Sequence, residues 1–287
     1  MKIIITGVHG YISNSIRKHF IETHKFNGGV QLLDLRNDNW LEEDFSQVDT
    51  IIHCAALVHK DPNRYSLDDY IEVNTNFTQK IAKKAKREGV KYFIFFSTEG
   101  VYGTSGSLFN DVILDKNTEL NPIEKYEISK KMAEDRLMEL EDDHFRIAII
   151  RPPFVYGKDC PGNYNRLRKA VLTFRFIPLI QNRKSMIYIE NLCEFIYQLW
   201  VRKLDGIFLP QDLPYRCTSD MCKRIAKYHN LATFNTVIFN PIIKLASLGI
   251  RAIRVSFGSE YYSEVSSELG FKYDLIDFDE SIKRTEL

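Results

Sequence analysis

The sequence predicts an α/β chain: a doubly wound parallel sheet with a smaller, partly helical C-terminal lobe. Three observations predict it. Lys2 to Thr6 is a β-branched run that stops in Gly7-Val8-His9-Gly10 and passes into a helical repeat of Ile12, Ile16 and Phe20. Tyr92 to Phe96 is almost wholly apolar, as expected of a central strand covered on both faces. Strand-like runs alternate with amphipathic ones through the whole first half, the pattern of parallel strands joined by crossover helices.

At 287 residues the chain can bury a full core, as one large α/β domain or as one plus a smaller lobe. Lys+Arg 39 against Asp+Glu 38 leaves no net field to favour nucleic acid or an anionic membrane. The cysteines, at positions 54, 160, 193, 217 and 222, form no paired short-spacing motif, and their odd number reads as reduced thiols of the cytoplasm. Cys217 and Cys222 lack the second pair or nearby His of a zinc set, so no metal is expected. The N-terminus lacks the charged region, long apolar core and cleavage site of a signal peptide. The tract from Phe239 to Ile253 is broken by Pro241, Lys244, Gly249 and Arg251, so no membrane span is expected. It reads instead as an amphipathic helix covering a lobe or an oligomer partner.

Strand, glycine turn and helix at Gly7-Val8-His9-Gly10-Tyr11-Ile12-Ser13 form the context of a dinucleotide fingerprint. Backbone amides at a helix N-terminus can approach a pyrophosphate there, and the helix dipole favours its charge. The spacing is Gly-x-x-Gly-x-x-Ser, with Ser13 in place of the last glycine. A plain strand–turn–helix is the alternative. Val30 to Leu35 is a second strand carrying Asp34, whose carboxylate can accept hydrogen bonds from an adenosine ribose and so favours NAD. Arg36 could instead face a 2′-phosphate, which leaves NADP open. Few residues separate Asp34 from the next strand, Thr50 to Cys54, so the intervening helix is short or absent, and Asp49 is expected near the adenine.

His53 at the end of that strand reads as a satisfied core histidine, while Ala55 and Ala56 would let a cofactor lie against the backbone. Asp69 to Arg87 follows as a long helix with the stripe Val73, Phe77, Ile81 and Ala85; its lysines read as a solvated face. Asn74 within the stripe either bonds backbone at the floor of a site or caps a kink. Ser97 and Thr98 lie at the carboxyl end of the central strand, where open α/β sheets place ligands. Tyr126 and Lys130, four apart in a helical pattern, stand one turn apart on one face.

These residues resemble a family. Thr6-Gly7-x-x-Gly10, Ser97-Thr98-x-x-Val101-Tyr102-Gly103, Tyr126-x-x-x-Lys130 and Arg151-Pro152-Pro153-x-Val155-Tyr156-Gly157 follow the order and spacing of extended short-chain dehydrogenase/reductases. That is the NAD-dependent epimerase/dehydratase group of nucleotide-sugar epimerases, dehydratases and ketoreductases. Leu269-Gly270-Phe271 and Phe278-Asp279-Glu280-Ser281-Ile282 resemble its C-terminal ending. His53-Cys54-Ala55-Ala56-Leu57-Val58-His59, and the segment from Arg151 through Cys160-Pro161-Gly162-Asn163, are most similar to a bacterial branch acting on UDP-4-keto-6-deoxy-N-acetylhexosamines for surface polysaccharide.

The resemblance implies that residues 1–157 form a dinucleotide-binding Rossmann domain, with a return segment at about 184–203. Residues 158–287 would form mainly a substrate-binding lobe. By motif position Tyr126 is the general acid/base, Lys130 the cation that lowers its pKa and holds the nicotinamide ribose, and Thr98 the hydroxyl polarising the substrate oxygen. Gly7, His9, Gly10, Tyr11, Ile12, Asp34, Arg36, Ala55, Ala56, Ser97 and Pro153 would complete the cofactor site. Dehydratases of the group place an Asp-Glu pair after the Thr; here Glu99 and Gly100 occupy those positions, so the second acid is missing. Many epimerases carry Asn where this chain has Phe154, so the substrate diphosphate must be held elsewhere, with Asn163, Arg166, Arg183 and Lys184 as candidates. The leading reading is an NAD(P)H-dependent 4-ketoreductase of such a UDP-sugar. A C4 epimerase retaining NAD and a catalytically silent dinucleotide-binding regulator are the alternatives. A homodimer through the helices at 69–87 and about 126–141 is expected.

Overall fold

The structure, a computed structural model, describes residues 1–36, 38–58, 64–267 and 269–287. His59 of the quoted motif therefore lies outside the described residues. The chain divides into two compact units. One comprises Met1–Gly103, Glu119–Pro152 and Cys193–Phe208, the other Thr104–Thr118, Pro153–Leu192 and Leu209–Leu287.

The first unit is built on a six-stranded sheet. Its strands are β1 (Lys2–Thr6), β2 (Gly29–Leu33), β3 (Val48–His53), β4 (Tyr92–Phe96), β5 (Arg146–Ile150) and β6 (Gly206–Phe208), in the spatial order β6-β5-β4-β3-β1-β2. Every pairing is parallel, so all carboxyl ends meet at one edge. The order reverses between β1 and β3, the switch at which a doubly wound sheet opens a crevice. Ile3, Ile4, Ile5 and all of β4 are buried because helices cover both faces. On one face Ile4, Ile51, Phe93 and Phe95 pack with Ile81, Ala85, Ala133 and Leu137, each large side chain contributing roughly 1.5–3 kcal/mol. Among the described residues the β2–β3 crossover holds a single 3₁₀ turn, Asp38–Leu41, in keeping with its short length. Asp49 opens β3 at the amino edge, where Lys203 pairs with it. The expectation that it approaches the adenine is thereby corrected, since in a parallel sheet that edge lies opposite the glycine turn.

The helices of this unit that matter to the site are α1 (Tyr11–Lys18), α2 (Leu67–Ile71), α3 (Phe77–Arg87) and α4 (Lys125–Met138). A capping box between Ser66 and Asp69 starts α2. A π turn at Glu72–Asn76 joins α2 to α3 without a break. That turn takes in an extra residue and rotates the helix face, so the expected stripe is wrong at its first member. Val73 is 40 % exposed, while Asn74, Thr75 and Thr78 are buried with Ile81 and Ala85.

Among its described residues the second unit carries three small parallel ladders: Val112–Leu114 with Glu260–Tyr262, Phe154–Tyr156 with Met186–Tyr188, and Phe176–Pro178 with Phe234–Thr236. The tract expected to form one covering helix is two short ones, Asn240–Ser247 and Arg251–Phe257. Ile242, Leu245, Leu248 and Ile250 remain exposed at its surface. Among the described residues no helix is long and apolar enough to cross a membrane.

Candidate active site

The glycine turn follows β1 at the carboxyl edge. Gly7 has φ +93° and donates from its N–H to Leu33 O at 3.1 Å, and a Cβ there would stand 3.3 Å from the Ala55 backbone. Only glycine combines that backbone with that approach. Ser13 does more than replace a glycine: its hydroxyl lies 2.5 Å from Gly7 O and 2.9 Å from Gly10 O, closing the turn from inside. Gly10 caps α1, whose first turn, including Tyr11 and Ile12, holds no acidic residue. An anion therefore meets an uncompensated helix dipole at this turn, which fits a pyrophosphate.

Asp34, Arg36 and His9 gather beside the turn. Arg36 grips Asp34 with Nε at 3.0 Å from Oδ1 and Nη2 at 2.6 Å from Oδ2, and the same Nη2 lies 2.6 Å from His9 Nε2. The hydrogen bonds from Arg36 hold the Asp34 carboxyl at about 2, so it is an anion at neutral pH. The two residues that pulled the cofactor reading apart in the sequence are thus bound to each other.

His53 Nδ1 lies 2.9 Å from Thr6 Oγ1 and His53 Nε2 lies 2.9 Å from Thr78 Oγ1. Burial first, then the charge of Lys130, pushes this imidazole down to about 3. It is a neutral core histidine. Beyond it Ala55 and Ala56 are partly exposed, with Ala55 N donating to Thr6 Oγ1 at 3.1 Å. Asn74, within the π turn, bonds backbone as the first of its two readings expected: its amide spans Leu57 N (2.7 Å), Leu57 O (3.2 Å) and Ser129 Oγ (2.9 Å). It fastens the loop after β3 to the middle of α4.

Helix α4 presents Tyr126 and Lys130 on one face, with Lys130 Nζ 5.9 Å from the Tyr126 ring centre. Lys130 is 1 % exposed and donates to Phe96 O at 2.7 Å, the last residue of β4. Among the described residues its two other N–H donors and the Tyr126 hydroxyl have no hydrogen-bond partner. Burial, and then the nearby Glu127, raises the Tyr126 phenol above its ordinary value, and burial pushes the Lys130 ammonium down to about 7. Within the chain alone, burial outweighs any lowering of the phenol by Lys130.

Thr98 follows β4 directly, and its Oγ1 accepts from Gly100 N at 3.1 Å, which leaves the hydroxyl hydrogen to donate. Gly100 is enclosed: a Cβ there would sit 2.8 Å from Glu127 Cγ. The Glu127 carboxylate is itself held by Ile123 N (3.1 Å) and Glu124 N (2.9 Å) as part of the α4 capping box. No side chain, acidic or otherwise, fits at position 100 without displacing that cap.

The Ser97 hydroxyl turns into the core and donates to Glu134. Glu134 also receives Arg151 in a bidentate pair at 3.1 and 2.6 Å, and Arg151 Nη1 donates to Tyr102 OH at 2.9 Å. Glu134 was missed from the sequence although it continues the Tyr126, Lys130 face by another four residues.

In the second unit Pro153 is buried where the chain enters Phe154–Tyr156. Asn163 and Arg166 are exposed in the first turn of the helix Asn163–Phe174. Arg183 is exposed and occupied by Asp111 at 3.6 Å and Tyr261 OH at 3.5 Å. Lys184 is buried and its backbone pairs with that of Arg216. Arg216, missed from the sequence, is also buried; its guanidinium stacks 4.7 Å above Phe278, and its Nε has no partner among the described residues.

The sequence matches the NAD dependent epimerase/dehydratase family over residues 3–197. It is 29 % identical over 246 residues to a UDP-glucose 4-epimerase of Vibrio cholerae, covering 78 % of this chain and 74 % of the relative. It is 24 % identical over 220 residues to a UDP-2-acetamido-2,6-beta-L-arabino-hexul-4-ose reductase of Pseudomonas aeruginosa, covering 72 % of this chain and half of that relative's length. The fold is similar to that of the Bordetella bronchiseptica enzyme WbmG in complex with NAD and UDP, with a TM-score of 0.73, 19 % identity and coverage of 99 % of this chain and 93 % of the other. With the family matched over most of its length and the doubly wound sheet in place, the chain belongs to the NAD dependent epimerase/dehydratase family.

Proposed function

We propose that the protein is a nucleotide-sugar oxidoreductase that reduces the 4-keto group of a UDP-4-keto-6-deoxy-N-acetylhexosamine. The observation that carries this reading is the Tyr126–Lys130 pair at the end of β4, where a phenol and two ammonium N–H groups lack hydrogen-bond partners among the described residues and Thr98 follows the strand with a hydroxyl hydrogen left to donate. A nicotinamide bound at this edge supplies the hydride. Lys130 would hold its ribose, the Gly7–Gly10 turn its pyrophosphate and Asp34 the adenosine ribose. Thr98 would donate to the substrate carbonyl oxygen, and Tyr126 would give its proton to that oxygen as the alkoxide forms. Burial keeps the phenol protonated, the state required to finish a reduction. The closed space at Gly100 weighs against elimination, which needs an acid there.

The second reading is a C4 epimerase, favoured by the 29 % identity to such an enzyme over most of the chain. It uses the same residues but keeps its NAD through an oxidation and a reduction. Purified protein incubated with NADH or NADPH and a panel of UDP-4-keto sugars separates the two. Net loss of absorbance by the reduced cofactor, with a 4-hydroxy product, is expected. Tightly retained NAD with no net consumption would overturn the reductase reading.

We assign NAD as the preferred cofactor because Asp34 is anionic and occupies Arg36. Asp34→Ala should free Arg36 for a 2′-phosphate and shift the NADPH:NADH preference by about 10–100-fold, the worth of a charged hydrogen bond. A wild-type preference for NADPH would sink the assignment. For the substrate diphosphate we favour Lys184 and Arg216, two buried cations on paired backbone, over the exposed Arg166 and the occupied Arg183. Arg216→Met should raise the KM for the UDP-sugar by about 10–100-fold, with kcat nearly unchanged. An unchanged KM would return the role to Asn163 and Arg166.

A further inference from the structure

The first crossover of the sheet ends in an unusual way. After α1 the chain continues as a π turn, His19–Thr23, with His24 N donating to His19 O at 3.3 Å. In an α-helix residues five apart stand about 140° apart around the axis. The π turn instead brings His19 and His24 to one face, their rings 5.1 Å apart. Facing them is Glu194 from the helix Ile189–Arg202. Its Oε2 lies 2.8 Å from His19 Nε2 and 2.6 Å from His24 Nε2. All three side chains are largely buried, His24 the most open at 21 %.

We propose that His19, His24 and Glu194 form a binding site for a divalent cation of the zinc type, a site outside the proposed reaction. Two imidazoles and a carboxylate are a donor set that zinc accepts, with water in the fourth place. Each ligand atom lies within 4.8 Å of the others. Zinc bonds near 2.1 Å set ligand atoms about 3.4 Å apart, so a cation enters when the two Oε2–Nε2 distances, 2.8 and 2.6 Å, lengthen by less than about an ångström. Both imidazoles then carry their hydrogen on Nδ1 and turn Nε2 to the metal.

The surroundings hold the ligands in place. Gln198 donates to Glu194 Oε1 at 2.6 Å, which fixes the carboxylate with Oε2 toward the histidines. His24 lies flat on Tyr197, 8° from parallel. The site is about 13 Å along the helix from Gly10, at the end of α1 away from the carboxyl edge, so its effect is to clamp the first crossover to the later helix rather than to act on substrate. The short cysteine spacings weighed in the sequence contain no member of this set, and its ligands come from segments 170 residues apart. The expectation of no metal rested on those spacings.

The test uses the full chain, stripped with chelator and dialysed against Zn²⁺. One Zn²⁺ per chain is expected, with a rise of several degrees in the thermal midpoint; both should vanish in His24→Ala. Gln198→Ala keeps all three ligands and should weaken Zn²⁺ binding by about 10–100-fold. Co²⁺ in the wild-type protein should give the visible bands of a four-coordinate nitrogen and oxygen site. No uptake, uptake equal in wild type and both variants, or a cobalt spectrum carrying a thiolate charge-transfer band would overturn the proposal. If His24→Ala does not fold, Gln198→Ala and the cobalt spectrum decide.

Discussion

Tyr126→Phe should lower kcat by about 10²–10⁴-fold, the usual share of a positioned acid, while cofactor binding changes little. Removing one oxygen leaves the ring and its packing, and the Tyr126 hydroxyl makes no hydrogen bond that the fold needs among the described residues. Thermal stability should therefore stay near that of the wild type, which separates lost chemistry from lost structure. Fluorescence titration with reduced cofactor and single-turnover reduction would check both halves. Turnover within about threefold of wild type would remove Tyr126 from the acid role. Lys130 adds a pH signature. Its ammonium is pushed down to about 7 by burial, so kcat/KM, which reports the free enzyme, should fall as pH rises through that value and the cation is lost. A profile flat to pH 9 would mean that the ammonium remains charged through that range or is not needed.

Much of this site could be read from the chain because its parts obey local rules. Gly7 and Gly10 follow a β-branched run and precede a helical repeat, and Tyr126 and Lys130 need only helical spacing to share a face. Asp34 is fixed by the end of β2. What could not be read depends on how side chains pair in space and on local irregularities of the backbone. The Asp34–Arg36 pairing joins two cofactor signals that the sequence could only set side by side. The π turn at Glu72–Asn76 has no simple composition, so Val73 was assigned to a face it does not occupy. Arg216 and Lys184 meet only through an isolated backbone bridge. Asp49 was misplaced because the reading fixed its position along the strand but not which edge that position serves.

The largest stability effect should come from Glu134, a residue outside every motif. Its carboxylate accepts both prongs of Arg151 and the Ser97 hydroxyl, and all three residues are nearly inaccessible to water. Glu134→Gln keeps the shape but leaves the Arg151 guanidinium buried without its counter-charge, at a cost of about 3–5 kcal/mol. For a chain of this size that is a fall in thermal midpoint of roughly 6–20 °C. The pair itself need not be strongly stabilising, because desolvation of two charges offsets most of their attraction. Glu134→Leu with Arg151→Met removes both charges and should recover most of the lost stability, which a single-site account of Glu134 does not predict. Recovered stability need not restore activity. Glu134 ties α4, one turn beyond Lys130, to the first residue after β4 and to Arg151 at the end of β5. The apolar double variant should thus melt near wild type yet keep a lowered kcat, with cofactor affinity reduced through Lys130. A midpoint shift under about 3 °C for Glu134→Gln would mean that water reaches Arg151 and that the network does not hold the site.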